Sequence, residues 1–292
     1  MHTPKLHIRW KKINKKEETV VNLYINSLFD LYKGNYSLKK SAPFIKIVKF
    51  FDIYDWINTT AYYRNLNDLK CQYTFFLPEG EEAFYDTIDN VIKYKNTTSI
   101  IHELFHMASN PHRCKTKSGF VTSNEKNVAL DEGITEYFAT LVEPSEKKYY
   151  PIETLVVELL AYSYDLYIFK DYFTADYQSF LNQFPNPEAI NRLSKKLDIH
   201  YMEYDNTSSK FSPLQQKKIE LLQKDIIKDI LTIIYENELN KKNNNLDELS
   251  FIVEDAIKSR KIENGYIAQY DLLNYTNNII KSLQEKEKKK RR

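Results

Sequence analysis

Two histidines one helical turn apart constrain the fold of this chain more than any other feature. His102 and His106 lie in the apolar stretch at 100–108. At about 100° per residue, side chains four positions apart share one helical face, and both imidazoles can reach a single ion at ~2.0–2.1 Å. The hydroxyl side chains at 97–99 can cap such a helix, and the Asn-Pro pair at 110–111 should end it. The spacing therefore predicts a helix that carries two metal ligands.

Glu103 follows the first histidine directly and points one step around the helix from the pair. A carboxylate there cannot easily join the two rings as a ligand. It can instead hydrogen-bond a water at the open metal position and take its proton. A purely structural metal site has no use for such a base. We therefore interpret Glu103 as the general base of a hydrolytic reaction.

Catalytic zinc usually takes three protein ligands and a water, so a third ligand is required. The apolar residues of the segment 129–141 recur with helical period, which places Glu132 and Glu136 on one face, one turn apart, beside the buried stripe. Carboxylates so close to a core need a cation or a hydrogen-bond donor. Glu132 as the third ligand and Glu136 as the acceptor of a ligand histidine's other N–H satisfy both needs.

The chain resembles the gluzincins, a group of zinc peptidases, in two segments, HELFH at 102–106 and LDEGITEYFA at 130–139. The spacing of Glu132 and Glu136 is similar to that of thermolysin-like enzymes, and the sequence Asp-Glu-Gly at 131–133 is similar to aminopeptidase N-like enzymes. The resemblance is confined to about residues 97–141. It implies a zincin-like fold around the first helix, with the third ligand on a second helix.

This resemblance also implies an activity: zinc-dependent hydrolysis of peptide bonds in a peptide or protein substrate. Zinc would bind His102, His106 and Glu132, and Glu103 would serve as the base. The chain contains no segment like the Gly-Ala-Met-Glu-Asn sequence that grips a substrate amino terminus. We therefore expect an endopeptidase rather than an aminopeptidase.

Two alternatives stay open at the level of sequence. His112 lies six residues after His106, the spacing of the third ligand in the metzincins, although Ser109 stands where that family has a glycine. The late methionine turn of that family is also missing, since the only later methionine is Met202. The second alternative is a non-catalytic zinc-binding regulatory protein, in which the same ligands stabilise a fold or sense a partner.

Hydrophobic patterning, together with the resemblance, predicts an α+β chain that is predominantly helical. A zincin-like lobe at 1–145, with a small sheet, would precede a helical lobe at 146–292. The predicted strands lie at 45–53, 72–77 and 91–94, with a short one at 119–122. The predicted helices outside the two metal-binding segments lie at 17–33, 151–170, 171–183, 187–197, 213–240, 246–262 and 270–285.

Two further elements of a peptidase site are expected. A strand directly before the metal helix, at 91–94, would lie where gluzincin-like enzymes bind an extended peptide along an exposed sheet edge. A donor for the oxyanion is also required, and the sequence offers His200 or one of several tyrosines. These tyrosines are Tyr149, Tyr150, Tyr162, Tyr164 and Tyr167.

Composition indicates the cellular compartment and the partners of the protein more than its chemistry. The chain has 292 residues, a net charge of +2 and only two cysteines, Cys71 and Cys114, which fits a reducing compartment. No segment has the length and apolarity of a signal peptide or a membrane span, so we expect a cytoplasmic protein. The basic tail at 286–292 reads as a solvated helix end, and no nucleic-acid-reading motif accompanies it. We therefore expect no nucleic-acid partner, and the oligomeric state stays open.

Overall fold

A computed structural model of the chain describes residues 70–74, 77, 82–95, 99–110, 118–121, 126–142, 149–205, 211–241, 246–260 and 267–290. The predicted helix at 17–33, the predicted strand at 45–53 and His112 lie outside these residues. Within them the chain is predominantly helical with one small sheet, as predicted. Two compact units interleave along the chain, and the predicted lobes at 1–145 and 146–292 stay a prediction.

The first unit contains a three-stranded sheet of β1 (Lys70–Tyr73), β2 (Ala83–Asp86) and β3 (Val91–Tyr94), in the order β1-β3-β2. β3 pairs parallel with β1 and antiparallel with β2. The Asp86 carboxylate closes the turn between β2 and β3 by accepting the N–H groups of Ile88 and Asp89 at 3.0 and 3.2 Å.

The predicted strand at 91–94 is confirmed, but its expected role as an exposed edge is wrong. β3 lies between two partners, so its backbone groups are already used on both sides. The strand predicted at 72–77 instead covers Lys70–Tyr73, and β2 escaped sequence analysis because four residues carry too little alternation to be read. No strand forms at 118–121, because Val121 N–H donates to Ser118 O at 3.0 Å and Gly119 has a φ of 50°.

Two helices carry the predicted site residues, α1 (Ile100–Ala108) and α2 (Val128–Val142). α1 packs against β2 and β3 and ends just before Asn110, as predicted. Its end is marked by a tighter i→i−3 bond, in which Asn110 N–H donates to Met107 O at 3.1 Å. Ser99 precedes α1, but its hydroxyl donates to Glu82 Oε2 at 3.2 Å rather than capping the helix. The border between the two units falls inside α2, after residue 134.

An aromatic core holds α1 and the later part of α2 within the first unit. Phe105 of α1 stacks on Phe138 of α2 with ring centroids 5.6 Å apart, and Phe138 meets Phe173 edge-on at 5.4 Å. Phe120 and Phe180 extend this cluster with centroids 4.7 Å apart. Aromatic pairs at such separations stabilise by about 0.5–1.5 kcal/mol each beyond their buried area.

The residues described after position 150 are mostly helical. They form α3 (Pro151–Tyr164), a 3₁₀ helix (Leu166–Tyr172), α4 (Tyr177–Asn182), α5 (Pro187–Asp205), α6 (Pro213–Asn240), α7 (Leu246–Lys258) and α8 (Gln269–Lys290). In the second unit, α6 packs against α3, α5, α7 and α8. Its buried isoleucines follow the helical repeat: Ile219, Ile226, Ile227, Ile230 and Ile234.

Several predicted helix bounds needed correction. The predicted helix at 151–170 ends at Tyr164, because Asp165 has a φ of 77°, which no α-helix accommodates. The helix predicted at 171–183 shortens to α4, whereas the one predicted at 187–197 continues to Asp205. The prediction for α6 is confirmed to the residue. Its start is marked by a capping box, in which Gln215 N–H donates to the Ser212 hydroxyl at 3.3 Å.

The last helices also differ from prediction by a few residues. α7 ends at Lys258, four residues earlier than expected, and α8 runs from Gln269 to Lys290. The lysines at 288–290 are exposed, as expected of a solvated helix end. Among the residues that the structure describes, no helix is long and apolar enough to cross a membrane.

Candidate metal centre

α1 buries its apolar face, and the three site residues on this helix, His102, Glu103 and His106, are also largely shielded from solvent. Leu104 and Phe105 are buried in the core, and the exposed fractions of Glu103 and His106 are only 7% and 8%. The His102 side chain is 12% exposed. Polar groups removed from water to this extent require partners. The hydrogen-bond partners of these buried side chains therefore determine what the site can do chemically.

The two imidazoles point their Nε2 atoms toward each other. His102 Nε2 and His106 Nε2 lie 3.1 Å apart, and the ring centroids are 4.8 Å apart. Two nitrogens at tetrahedral positions around one zinc ion lie about 3.3 Å apart. A proton or a metal ion between these nitrogens would satisfy both lone pairs. The geometry of the pair thus fits a shared cation without rearrangement of α1.

Glu136 sets the protonation of the first ring. Its Oε2 lies 3.0 Å from His102 Nδ1, and its side chain is only 5% exposed. A carboxylate accepts, so Nδ1 carries the proton and donates it, which leaves the lone pair on Nε2 directed at His106. The contact expected of Glu136 is present, and its role beside a metal-bound ring stays a prediction.

Glu132 completes a three-residue group. One ligand atom each from His102, His106 and Glu132 lies within 4.8 Å of the others, and the group could hold a metal ion. Two imidazole nitrogens and one carboxylate oxygen are donors that suit a divalent ion of intermediate softness, zinc among them. The residues present therefore fit the predicted cofactor by donor type and by separation.

Thr135 is a residue of this site that sequence analysis missed. It is fully buried on α2, and its Oγ1 lies 3.4 Å from His106 Nδ1 and 2.5 Å from the Tyr172 hydroxyl. Glu132, Thr135 and Glu136 occupy positions i, i+3 and i+4, which share a helical face. The periodicity that selected the two glutamates could therefore also have selected Thr135.

The glycine of the Asp-Glu-Gly sequence has a packing role. A Cβ added at Gly133 would lie 2.9 Å from both the carbonyl carbon and the carbonyl oxygen of Glu153, in the first turn of α3. Backbone atoms at that distance cannot make room by rotating a side chain. Gly133 therefore allows α3 to approach α2 closely, directly beside the candidate ligand Glu132.

His200, one candidate oxyanion donor, is fully buried in a hydrogen-bonded network of the second unit. Its Nδ1 lies 2.7 Å from Glu153 Oε1, and its Nε2 lies 3.0 Å from the side-chain nitrogen of Gln223. Both ring nitrogens are thus engaged by neighbouring side chains. This arrangement disfavours His200 as a hydrogen-bond donor to a substrate.

Two of the candidate tyrosines are strongly biased toward their neutral form. The pKa of Tyr162 and of Tyr164 is raised to about 12, mainly by burial and in smaller part by nearby glutamates, Glu238 among them. A phenol with such a pKa keeps its proton at neutral pH and can act as a hydrogen-bond donor. Tyr149 and Tyr167 are exposed.

Comparison with known proteins adds no family to this description. The sequence matches no family model, no curated protein and no solved structure.

Proposed function

We propose that this protein is a zinc metallopeptidase of the gluzincin type, and that it acts as an endopeptidase. The observation that carries the proposal is the convergence of ligand atoms of His102, His106 and Glu132 to within 4.8 Å, with Glu103 buried on the same helix as the two histidines. A site that only bound metal would need the three ligands but not the fourth residue. The combination of ligands and base favours hydrolysis.

In the proposed mechanism, each side chain has a separate task. His102 and His106 would hold the ion through Nε2, and Glu136 would orient the His102 ring by accepting the hydrogen bond from its Nδ1–H. Zinc, when bound, supplies a Lewis acid that polarises the peptide carbonyl and lowers the pKa of water. Glu103 accepts a proton from the attacking water and delivers it to the leaving amine nitrogen. Its low exposure strengthens each of these interactions, because little solvent screens them.

The remaining parts of the proposal follow from the same chemistry. The substrate would be a peptide or protein, and the oxyanion donor would be one of the tyrosines near residues 149–167. A cytoplasmic location also belongs to this proposal. The substrate and the oxyanion donor both require that the metal centre be catalytic, so the first experiment addresses the centre itself.

The experiment combines zinc analysis with cleavage of a mixed peptide library, in the presence and absence of a chelator. Glu103→Gln should retain one zinc ion per chain and lose cleavage by about 10²–10⁴-fold, because an amide cannot take the proton. Glu132→Ala should lose the zinc as well. Glu188→Gln makes the same change of side chain at an exposed position and should leave both properties unchanged.

The zinc content and the cleavage activity together distinguish a peptidase from a non-catalytic zinc-binding protein. Zinc that depends on Glu132, without any cleavage, would refute the peptidase and identify a non-catalytic zinc-binding protein. Retained cleavage in Glu103→Gln would remove the assigned base. Cleavage of peptides blocked at both ends would support an endopeptidase, and cleavage only of peptides with a free terminus would contradict it.

A further inference from the structure

The first turn of α2, which leads directly to Glu132, is held by a side chain from another helix. The first N–H groups of any α-helix lack a partner within the helix. The Asp198 carboxylate of α5 accepts the N–H of Asn127 at 2.7 Å and the N–H of Ala129 at 3.1 Å, one with each oxygen. Asp198 therefore acts as an N-cap across 69 to 71 residues of sequence.

A second contact from the same face of α5 fixes the residue that begins α2. Ser194 lies one turn before Asp198, and its hydroxyl donates to Asn127 Oδ1 at 2.9 Å. Both Ser194 and Asn127 are buried, and Asn127 has a left-handed backbone with a φ of 64°. Asparagine adopts this conformation more readily than most other non-glycine residues, and the contact from Ser194 holds its side chain in place. α5 thus sets both the position and the direction in which α2 begins.

A third contact acts one turn further along α2. The backbone of Glu153 abuts Gly133, next to Glu132, and His200 of α5 holds the Glu153 carboxylate. The proton positions follow from the network. Ile267 N–H donates to Gln223 Oε1 at 2.8 Å, so the Gln223 amide nitrogen donates to His200 Nε2, and His200 Nδ1–H donates to Glu153.

We propose that Asp198 is a positioning residue for the metal ligand Glu132, with Ser194 and His200 as supporting contacts. This inference rests on the proposed metal centre. The three contacts reach α2 at its cap and at Gly133, so they bracket Glu132 without touching it. Loss of the Asp198 carboxylate frees the N–H groups of the first turn, and Glu132 then samples positions away from the two histidines. Metal affinity falls although every ligand is present.

The test is a zinc titration against a chromophoric chelator, together with the visible spectrum of the cobalt-substituted full-length protein, which reports the number and geometry of ligands. Asp198→Ala should weaken zinc binding by about 10-fold or more, in the range known for residues that orient metal ligands. It should also alter the cobalt spectrum. Asp198→Asn keeps one acceptor oxygen and should restore part of the affinity.

Ser212→Ala is the matched control, because it removes the N-cap of α6, a helix that carries none of the candidate ligands. It should lower thermal stability as Asp198→Ala does and leave zinc affinity and the cobalt spectrum unchanged. If Asp198→Ala fails to fold, Asp198→Asn decides alone. Wild-type zinc affinity and spectrum in the folded Asp198 variants would overturn the positioning role while leaving the metal centre intact. A wild-type protein without zinc affinity would refute the metal centre itself.

Discussion

At the scale of single residues, the candidate site is organised by which ring nitrogen carries the proton. Glu136 holds the proton of His102 on Nδ1, and the Nε2 atoms of His102 and His106 then face each other at 3.1 Å. A buried carboxylate in this position makes the imidazole a better electron donor to a metal. Substitution of Glu136 should therefore lower the affinity for the metal more than it lowers the free energy of unfolding.

Glu136→Gln tests this role directly. The amide oxygen can still accept the hydrogen bond from His102 Nδ1–H, but it lacks the negative charge that would make the imidazole a stronger metal ligand. We expect zinc affinity to fall by about 10-fold, measured by competition with a chromophoric chelator. Glu188→Gln, at an exposed position, serves as the control. Equal affinities of the two variants would show that Glu136 does not support the metal.

At the scale of elements, α2 is the helix on which the site depends. One of its faces presents Glu132, Thr135 and Glu136, and Gly133 packs against the first turn of α3. A helix that packs closely against a neighbour and would also hold a metal ligand has little freedom to shift. Its sequence is accordingly set by packing as much as by chemistry.

Gly133→Ala distinguishes the effect of helix propensity on stability from the effect of the close packing of α2 against α3. Alanine favours a helix by about 1 kcal/mol over glycine, so an isolated α2 would gain stability. In the folded protein the added methyl meets Glu153 backbone atoms at 2.9 Å, and we expect a net loss of about 1–3 kcal/mol in the free energy of unfolding. Denaturant unfolding measures this change. Thr140→Ala, later on the same helix, should change it by less than about 0.5 kcal/mol, and a more stable Gly133→Ala would contradict the close approach.

At the scale of the whole molecule, a bound metal ion would join two segments of chain. His102 and Glu132 are 30 residues apart in sequence, and an ion held by both exists only in the folded state. A ligand that binds only the folded state raises stability by about 2.7 kcal/mol at a free concentration 100 times its dissociation constant. Zinc should therefore stabilise the entire fold.

This effect predicts a melting temperature that rises by several degrees with added zinc and falls again with a chelator. Differential scanning calorimetry at a series of zinc concentrations measures it. Glu132→Ala should show no such dependence, since the third ligand is absent. A wild-type melting temperature that is independent of both zinc and chelator would contradict a metal centre at this site.

The sequence by itself determined the features that depend on neighbours along the chain. The four-residue spacings placed His102 with His106, and Glu132 with Glu136, on the faces of two helices. The bounds of α6 followed from its capping box and its long apolar stripe. Such features are local, because a helix repeats every 3.6 residues and its ends are marked by the residues that cap it.

Only the tertiary structure decided the features that depend on distant partners. Asp198 caps α2 by accepting the N–H of Asn127, 71 residues earlier in the chain, and β3 is central because it pairs with a strand on each side. His200 is engaged by side chains 47 and 23 residues away, which disfavours its predicted role. No local pattern specifies such pairs, since each residue's own sequence neighbours are compatible with many partners. Packing selects one of them, because each buried polar group must find a partner when the chain folds.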